Sequence, residues 1–324
     1  MSIKDKEKYR LFSESDDAKI PIFFKPWYLD IVCQKGSWDV ILYEDGQEGI
    51  AGFLVYYTTV KYGRKGIIMP PLTPYSGVWL CNMNTTKIES QNKKSTSIIQ
   101  KLIEGLPENI SLYTQSFHSS FVNGLPFYWK KYTQTVRYTF FIEELKAWSI
   151  ESIATNTRNK IRKASQNLIV ETSDDTAALY QLVSQVMNDK GMQMTLTREM
   201  FFELDEAILK HSKRKIFIVK DHSGYIYAAT YMILDMDTAY LMMIGSDKNT
   251  RQNGAVPLAI YHSIVEAQLR VKHFDFEGSM LESIFDLFSG FGGVLKPYYR
   301  IYKAKNIFWD ILYRLKNYND QNIR

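Results

Sequence analysis

Two acids near the C-terminal end of the chain are the first candidates for chemistry. Asp275 and Glu277 alternate with Phe274 and Phe276 in the stretch HFDFEG. Alternation along a strand places both carboxylates on one face. Two neighbouring carboxylates raise one pKa, so Glu277, with Asp275, is a candidate general base for an acceptor amine or hydroxyl. The alternative is that one acid caps the next helix or pairs with a base, which we favour for Asp275. Gly278 would let a bound substrate approach the backbone.

A second candidate is a loop that precedes a helix. Arg251, Gln252, Asn253 and Gly254 follow a strand pattern, and Pro257 falls in the first turn of the next helix. Free backbone N–H groups and the positive end of a helix dipole favour a pyrophosphate, to which Arg251 adds charge. These loop residues therefore form a candidate cofactor site. An ordinary loop with a helix cap remains the alternative, because R-x-x-G is a short motif.

A basic helix and several tyrosines could bind the other substrate. The segment RNKIRKA contains Arg158, Arg162 and Lys163, and arginine suits the diphosphate of a nucleotide-linked sugar or lipid carrier. A solvated helix face is the alternative. Tyr75, in the proline-rich stretch GIIMPPLTPYSG, could hydrogen-bond a substrate, and Tyr298 is a candidate for the catalytic site. Packing in the core is the alternative for each tyrosine.

The elements that must position these residues alternate between strands and helices. The stretch 40–57 reads as strand, turn, strand and aligns without gaps on the stretch 217–234, which indicates an internal repeat. The sequence therefore predicts an α/β (α+β) protein with two domains that divide near residue 147. We expect a ligand cleft between them.

Composition limits the classes of function. The chain has 324 residues, 45% hydrophobic residues and a net charge of +5, with no block of like charges that would indicate a nucleic-acid-binding tail. Its two cysteines and scattered histidines predict neither a disulfide framework nor a metal site. Neither a signal peptide nor a transmembrane segment is expected, so we predict a cytoplasmic protein.

These motifs, in this order, resemble the FemAB-like proteins of the GNAT acyltransferase superfamily. The resemblance rests on the Arg251-x-x-Gly254 loop, the early Pro257, the DFEG stretch ending at Gly278, the Phe291-Gly292-Gly293 turn and the basic helix. It spans roughly residues 20 to 304. It implies two tandem GNAT-like domains, 1–147 and 148–304, each a mixed central sheet flanked by helices. Residues 305–324 would form a C-terminal helix.

The resemblance also implies a reaction. It predicts transfer of an acyl group from a thioester donor, acetyl-CoA or another acyl-CoA, to an amine or hydroxyl of a cell-envelope or glycan precursor. The acceptor would be a small molecule, or a nucleotide- or lipid-linked one. Fem aminoacyltransferases carry two lysines in the segment before the glycine turn, where this chain reads LFSGFG from Leu287, which argues against a tRNA donor. There are two alternatives. One is a Fem-type aminoacyl-tRNA-dependent transferase, and the other is a non-catalytic binding relative, which stays open because of Val256 in the loop.

The tail forms an amphipathic pattern. Five apolar residues fall on one predicted helix face: Ile307, Phe308, Ile311, Leu312 and Leu315. Such a face docks on a protein core or lies on a membrane surface. We favour docking on the core and keep peripheral membrane contact as the alternative.

Overall fold

The structure is a computed structural model that describes residues 3–15, 19–46, 49–81, 87–192, 194–248, 253–278 and 280–322. Arg251 and Gln252 of the predicted cofactor site lie outside these ranges. The strands are β1 (Ser37–Asp45), β2 (Gly49–Lys61), β3 (Arg64–Ile68), β4 (Gly77–Leu80), β5 (Leu112–Ser116), β6 (Thr133–Ile142), β7 (Ile169–Ser173), β8 (Lys213–Lys220), β9 (Ile226–Asp235), β10 (Thr238–Ser246), β11 (His273–Asp275) and β12 (Val294–Ala304).

The helices fill the intervals between these strands. They are α1 (Ile3–Glu14), α2 (Pro26–Val32), α3 (Ile88–Glu104), α4 (Leu125–Trp129), α5 (Thr155–Ala164), α6 (Thr176–Asp189), α7 (Arg198–His211), α8 (Ala255–Gln268), α9 (Glu282–Ser289) and α10 (Ile307–Asn322). Short 3₁₀ turns cover Ile22–Phe24, Leu145–Ala147 and Ile150–Ser152. The mixed α/β class predicted from the sequence is confirmed.

The chain divides into two compact units. Unit 1 contains residues 1–137 and 297–319, and unit 2 contains residues 138–296 and 320–324. The sequence-based limits at 147 and 304 follow the chain contiguously, whereas the compact units divide within β6 and β12. Unit 2 therefore contains residues 138–142 of β6, and unit 1 contains residues 297–304 of β12, which the sequence-based limits would each give to the other half of the chain.

Pairing of β6 and β12 explains this division. In unit 2, β11 pairs antiparallel with the end of β6, through Phe274 opposite Ile142. In unit 1, β5 pairs antiparallel with β12, through Arg300 opposite Ser116. A strand belongs to the sheet with which it hydrogen-bonds, and such partners lie far apart in sequence. Local sequence patterns do not contain this information.

Both units contain the same central arrangement of strands. In unit 1, β1, β2 and β3 form an antiparallel meander, and β3 pairs in parallel with β5 after α3. In unit 2, β8, β9 and β10 form an antiparallel meander, and β10 pairs in parallel with β11 after α8. A helical connection is what a parallel pair requires. The internal repeat thus has a counterpart in the topology of each unit.

The pairing register corrects the gap-free alignment of the repeat. Val40 lies opposite Val55 in unit 1, so the alignment places Phe217 opposite Met232. In unit 2, Phe217 lies opposite Thr230. The two hairpins therefore differ by two residues in register. A shift of two keeps each side chain on its original face, which is why the hydrophobic pattern concealed the difference.

The tail helix α10 is buried through residues outside the predicted apolar face. Trp309 is 9% exposed, and the Tyr313 ring stacks on Tyr302 of β12 with centroids 4.4 Å apart. By contrast, four residues of the predicted face are exposed: Ile307, Phe308, Ile311 and Leu315. The packed residues are aromatic, and four of the five residues of the predicted apolar face are solvated.

Candidate functional site

The candidate site lies in unit 2, where two parallel strands cease to pair. The last pair between β10 and β11 is Tyr240 opposite Asp275. β11 ends there, whereas β10 continues to Ser246. We call the end of β11 and the β10 residues 241–246 the fork. Ligands of α/β sheets bind beyond the carboxyl ends of strands, where the sheet leaves room between neighbours.

A bulge in β10 lies inside the fork. Leu241 pairs with Met232 and Met243 pairs with Tyr231, so Met242 is an extra residue between them. The extra residue of a bulge is left out of the ladder. The backbone of Met242 is consequently outside the β9–β10 register, beside the position where the β10–β11 pairing ends.

Asp275 is a bonded carboxylate at the edge of the fork. Its Oδ1 accepts a hydrogen bond from the Thr139 hydroxyl and another, of 2.9 Å, from the backbone N–H of Glu277. Burial raises the pKa of Asp275 to about 6, although both hydrogen bonds and the charge of Lys296 act in the opposite direction. Asp275 therefore combines a structural role with an abnormal affinity for a proton.

Glu277 is the unsatisfied acid of the pair. Its Oε1 is buried and has no hydrogen-bond partner among the residues that the structure describes. Burial, and then the charge of Asp275, raise the pKa of Glu277 well above its usual value. Its backbone has φ +64°, a left-handed conformation that is uncommon for a residue other than glycine. Unpartnered buried acids and such backbone angles cluster at functional sites.

The strand around these acids is shorter than the sequence predicts. β11 ends at Asp275, so Glu277 lies beyond it rather than within a strand HFDFEG. Phe274 and Phe276 are buried, as their alternation with the acids predicts. The two carboxylates stay neighbours because the N–H of Glu277 turns back to Asp275. Gly278 follows as an exposed residue.

Two residues near the acids were missed at the sequence level. Thr139, in β6, is 136 positions before Asp275 in the chain. Lys296 places its Nζ 3.9 Å from the centre of the Phe141 ring, and its charge favours ionised Asp275. Neither residue belongs to a recognisable local motif. Only the pairing of β6 with β11 brings Thr139 to the acid.

The described part of the predicted cofactor loop forms a tight helix start. Gly254 precedes α8 with φ +83°, and a Cβ there would lie 2.7 Å from the carbonyl oxygen of Lys160. The side chain of Asn253 accepts a 2.9 Å hydrogen bond from the N–H of Ala255. Pro257 has no N–H. Close packing on α5 is thus one physical reason for glycine at this position.

That packing brings the basic helix to the loop. Arg158 is half-buried and donates weakly to Thr155, whereas Arg162 and Lys163 are exposed. None of these three cations forms an ion pair with another described residue. The predicted substrate-binding helix and the predicted cofactor loop therefore meet at Gly254, and the helix carries cations available to an anionic ligand.

The glycine turn after α9 holds the start of α5. The Trp148 indole donates a 2.8 Å hydrogen bond to the carbonyl of Phe291. The N–H of Ala154 donates a 2.9 Å hydrogen bond to the carbonyl of Gly290. Gly292 has φ +77°, and a Cβ there would lie 2.4 Å from the carbonyl oxygen of Ser152. The FGG motif thus positions the basic helix.

The tyrosines named from the sequence lie in unit 1. Tyr75 is 5% exposed, and its ring packs against Phe23 and His118 at centroid distances of 5.1 and 4.5 Å. Its surroundings are those of a core residue. Tyr298 is half-buried in β12, in the part of that strand that belongs to unit 1. A substrate contact of either residue stays a prediction.

Unit 1 has a filled counterpart of the fork. Residues 69–76 interrupt the edge formed by β3 and β4, at the position of the β10 bulge. The N–H of Ser76 donates to the carbonyl of Ser116 at 2.8 Å. The Gln115 amide donates to the carbonyl of Val55 at 2.9 Å and to the Ser76 hydroxyl at 3.1 Å. These buried groups close the gap between β4 and β5.

The described residues contain no group of three histidine, cysteine or carboxylate side chains that could hold a metal ion. Within the same ranges, no helix combines the length and the apolar character needed to cross a membrane.

Comparisons with known proteins agree with this arrangement. Residues 152–280 match the family model of the acetyltransferase (GNAT) domain. The structure of FemX is similar over 97% of this chain and 98% of its own, with a TM-score of 0.59 and 13% identity. L-PGS from Bacillus licheniformis is similar over 98% and 97%, with a TM-score of 0.55 and 11% identity. No curated protein matches the chain.

A further neighbour is the C-terminal domain of a putative lysylphosphatidylglycerol synthetase from Agrobacterium fabrum. It covers 89% of this chain and 94% of its own, with a TM-score of 0.52 and 12% identity. These similarities show a GNAT-type fold. The whole chain is thus similar in fold to FemX, and residues 152–280 match the GNAT-domain model.

Proposed function

We propose that unit 2 transfers an acyl group from a thioester to an acceptor amine or hydroxyl, with Glu277 as general base. The observation that carries the proposal is the buried, unpartnered Oε1 of Glu277 at the fork. A general base needs a free lone pair within reach of the acceptor and a pKa near the working pH. The raised pKa of Glu277 moves it in that direction.

The proposed reaction needs only direct attack. The acceptor nitrogen or oxygen attacks the thioester carbonyl carbon, and the Glu277 carboxylate takes the proton as the new bond forms. The carbon–sulfur bond then breaks, and the thiolate leaves and takes up a proton. Backbone N–H groups stabilise the oxyanion best when they are fixed beforehand. The bulge at Met242 is the candidate for that role, because it lies outside the ladder.

Acetyl-CoA or a longer acyl-CoA is the proposed donor. Its phosphates would interact with the cations of α5 beside Gly254, including Arg158, Arg162 and Lys163. Arginine binds phosphate oxygens in a bidentate manner, and exposed cations pay little desolvation on binding. A cell-envelope or glycan acceptor and a cytoplasmic location stay predictions.

Calorimetric titration with acetyl-CoA and longer acyl-CoAs tests the donor. Micromolar binding followed by acyl transfer to an amine or amino-sugar acceptor is expected for the wild type. Glu277→Gln should bind the donor with unchanged affinity and turn over about 10²–10⁴-fold more slowly. Glu282→Gln, an exposed acid in the first turn of α9, is the matched control and should retain full activity. Full activity in Glu277→Gln would remove Glu277 from the mechanism.

An aminoacyl-tRNA donor is the second candidate, since the chain is similar to FemX along nearly its whole length. The unpaired cations of α5 suit a phosphate backbone as well. Binding of tRNA that weakens steeply with salt, without any binding of acyl-CoA, would favour this donor. Absence of turnover with either donor would favour a binding relative that has lost activity.

A further inference from the structure

A pocket in unit 1 lies over the sheet, where α3 ends. Its volume is about 330 Å³, at the lower end of the range of about 300–1,000 Å³ that is usual for small-ligand sites. Its lining comes from the end of α3 and the turn after it, from β3, β5 and β12, and from the segment between α4 and β6. All these residues belong to unit 1, and none of them belongs to the fork.

The apolar side chains of the pocket lie on one face of the sheet. Ile67 and Tyr113 are opposite each other in the parallel pair of β3 and β5, and both belong to the core of unit 1. Ile103 of α3 belongs to the same core, and the partly buried Leu106 and Ile110 pack against it. Because most of this wall is aliphatic, it favours the aliphatic part of a ligand, which gains by leaving water.

Two lysines reach the same face from the end of β12. Lys303 and Lys305 follow Ile301 at intervals of two, and the Ile301 side chain belongs to the core of unit 1. The N–H of Lys305 still donates to the carbonyl of Ser111 at 2.9 Å, so the pairing of this strand continues to Lys305. Alternation along the strand therefore places both lysine side chains on the face that holds the pocket.

The ammonium group of Lys303 is held in place by two contacts. Its Nζ donates a 2.8 Å hydrogen bond to the carbonyl of Lys130 and lies 4.7 Å from the centre of the Tyr132 ring. The Tyr132 ring in turn packs edge-to-face on Tyr113 and Phe127, at centroid distances of 5.1 and 5.2 Å. An ammonium group has three N–H donors, so Lys303 keeps two for a ligand.

The charges of the lining favour an anion with a single negative charge. The charged lining residues that the structure describes are Lys303, Lys305 and Glu108, whose charges add to +1. Both lysines are exposed, and neither forms an ion pair with any residue in the described ranges. An anionic group can therefore approach two cations without displacing a carboxylate, whereas Glu108 opposes a second negative charge on the ligand.

We propose that this pocket binds a medium-chain aliphatic monocarboxylate. Its chain lies among the aliphatic side chains, and its carboxylate accepts charge-assisted hydrogen bonds from Lys303 and Lys305. The ligand is the free acid, because a thioester of the same chain has no carboxylate for the lysines to bind. The proposal goes beyond acyl transfer and does not depend on it, since no residue of the fork lines the pocket.

Calorimetric titration of the full chain with octanoate, below its micelle-forming concentration, tests the proposal. Saturable binding to one site is expected. The double variant Lys303→Met/Lys305→Met keeps two unbranched apolar side chains but removes both charges, so it should weaken binding about tenfold or more. Lys35→Met, which changes an exposed lysine of unit 1 outside the pocket, is the matched control and should bind like the wild type.

Two further probes test the head and the chain of the ligand separately. Octan-1-ol has the same chain without the charge, and butyrate has the same head on a chain that buries less apolar surface, so each should bind about tenfold or more weakly than octanoate. Glu277→Gln should bind octanoate like the wild type whether or not acyl transfer is real. Absence of octanoate binding, equal binding of either further probe, or insensitivity to Lys303→Met/Lys305→Met would overturn the proposal.

Discussion

At the residue scale, the two acids of the fork differ through their hydrogen bonds. Asp275 accepts from Thr139 and from the N–H of Glu277, and both bonds favour its charged form. Glu277 Oε1 accepts none from the described part of the chain, and burial and then the charge of Asp275 oppose its ionisation. Two titratable groups whose surroundings separate their pKa values are the usual sign of an acid–base assignment. This difference supports the proposal that Glu277 exchanges a proton with a substrate.

Asp275→Asn should shift the pH dependence of the reaction. The amide oxygen of asparagine can accept both present hydrogen bonds, so the fold should persist while the negative charge disappears. Loss of that charge lowers the pKa of Glu277, and the rising limb of kcat/KM should move to lower pH by about one unit. Initial rates from pH 5 to 9 measure this shift. An unmoved limb would show that the two acids are not coupled.

Glu277 and Asp275 should also make stability depend on pH. Both pKa values are raised in the folded protein, to about 6 for Asp275, so the folded state holds these protons more tightly than the unfolded chain. Their contribution is fully present below the usual carboxyl pKa and is lost as pH rises through 6 and beyond. Between pH 5 and pH 8, the free energy of unfolding should fall less for Glu277→Gln than for the wild type, by on the order of 1–3 kcal/mol.

Urea denaturation at the two pH values measures this difference. Glu282→Gln, which removes an exposed acid, should follow the wild type. If Glu277→Gln loses as much stability with rising pH as the wild type, the buried acid does not carry the effect.

At the element scale, the approach of α5 to α8 decides where the cations lie. Gly254 has both a positive φ and a backbone neighbour within 2.7 Å of a would-be Cβ, whereas Gly224 has φ +88° and open space around it. A comparison of substitutions at the two glycines therefore distinguishes the strain of a left-handed residue from the cost of a steric clash. Helix position and site geometry are therefore coupled at Gly254.

Gly254→Ala should destabilise the protein more than Gly224→Ala. Gly224→Ala adds only backbone strain, about 1 kcal/mol. Gly254→Ala adds the same strain and also pushes α5 away from the loop. Thermal unfolding measures the difference in stability, and calorimetry with acyl-CoA measures the accompanying loss of affinity. Equal effects of the two variants would mean that the packing of α5 on the loop contributes little.

At the scale of the whole molecule, each unit has its own hydrophobic core. The core of unit 2 includes Phe274, Phe276 and Phe291, and that of unit 1 includes Phe117, Phe127 and Ile301. Unit 2 also contains a buried ion pair, in which Arg214 bonds to Asp205 at 2.8 and 3.0 Å. Tyr231 donates to the same carboxylate at 2.8 Å. Separate cores allow one unit to be perturbed without removing the packing of the other.

Asp205→Asn should therefore loosen unit 2 selectively. It leaves the buried Arg214 charge without its main partner, which costs about 3–5 kcal/mol. Asp174→Asn is the matched control, because Asp174 bonds to the same arginine while its side chain is 92% exposed, and it should cost less than about 1 kcal/mol. Hydrogen exchange should show faster exchange in β8 and β9, with unit 1 unchanged. Uniform acceleration throughout the chain would show that the two cores unfold together.

The sequence by itself determined the class of fold, the repeat and the pair of acids. These depend on local properties: alternation predicts that Phe274 and Phe276 lie inside, and glycine allows the positive φ that the structure shows at Gly254 and Gly292. Side-chain period and backbone freedom are properties of short segments, so a single sequence displays them. The sequence did not reveal the two-residue register difference between the hairpins, because a shift of two residues preserves the alternation of side chains along a strand.

Only the tertiary structure decided how those segments combine. The exchange of β6 and β12 between the halves of the chain, the bond from Thr139 to Asp275 and the contact of Gly254 with Lys160 join residues that are distant in sequence. Hydrogen bonding and close packing act through space, and desolvation depends on everything that surrounds a group. For that reason the raised pKa of Glu277 and its unpartnered oxygen follow from the folded structure and from no local motif.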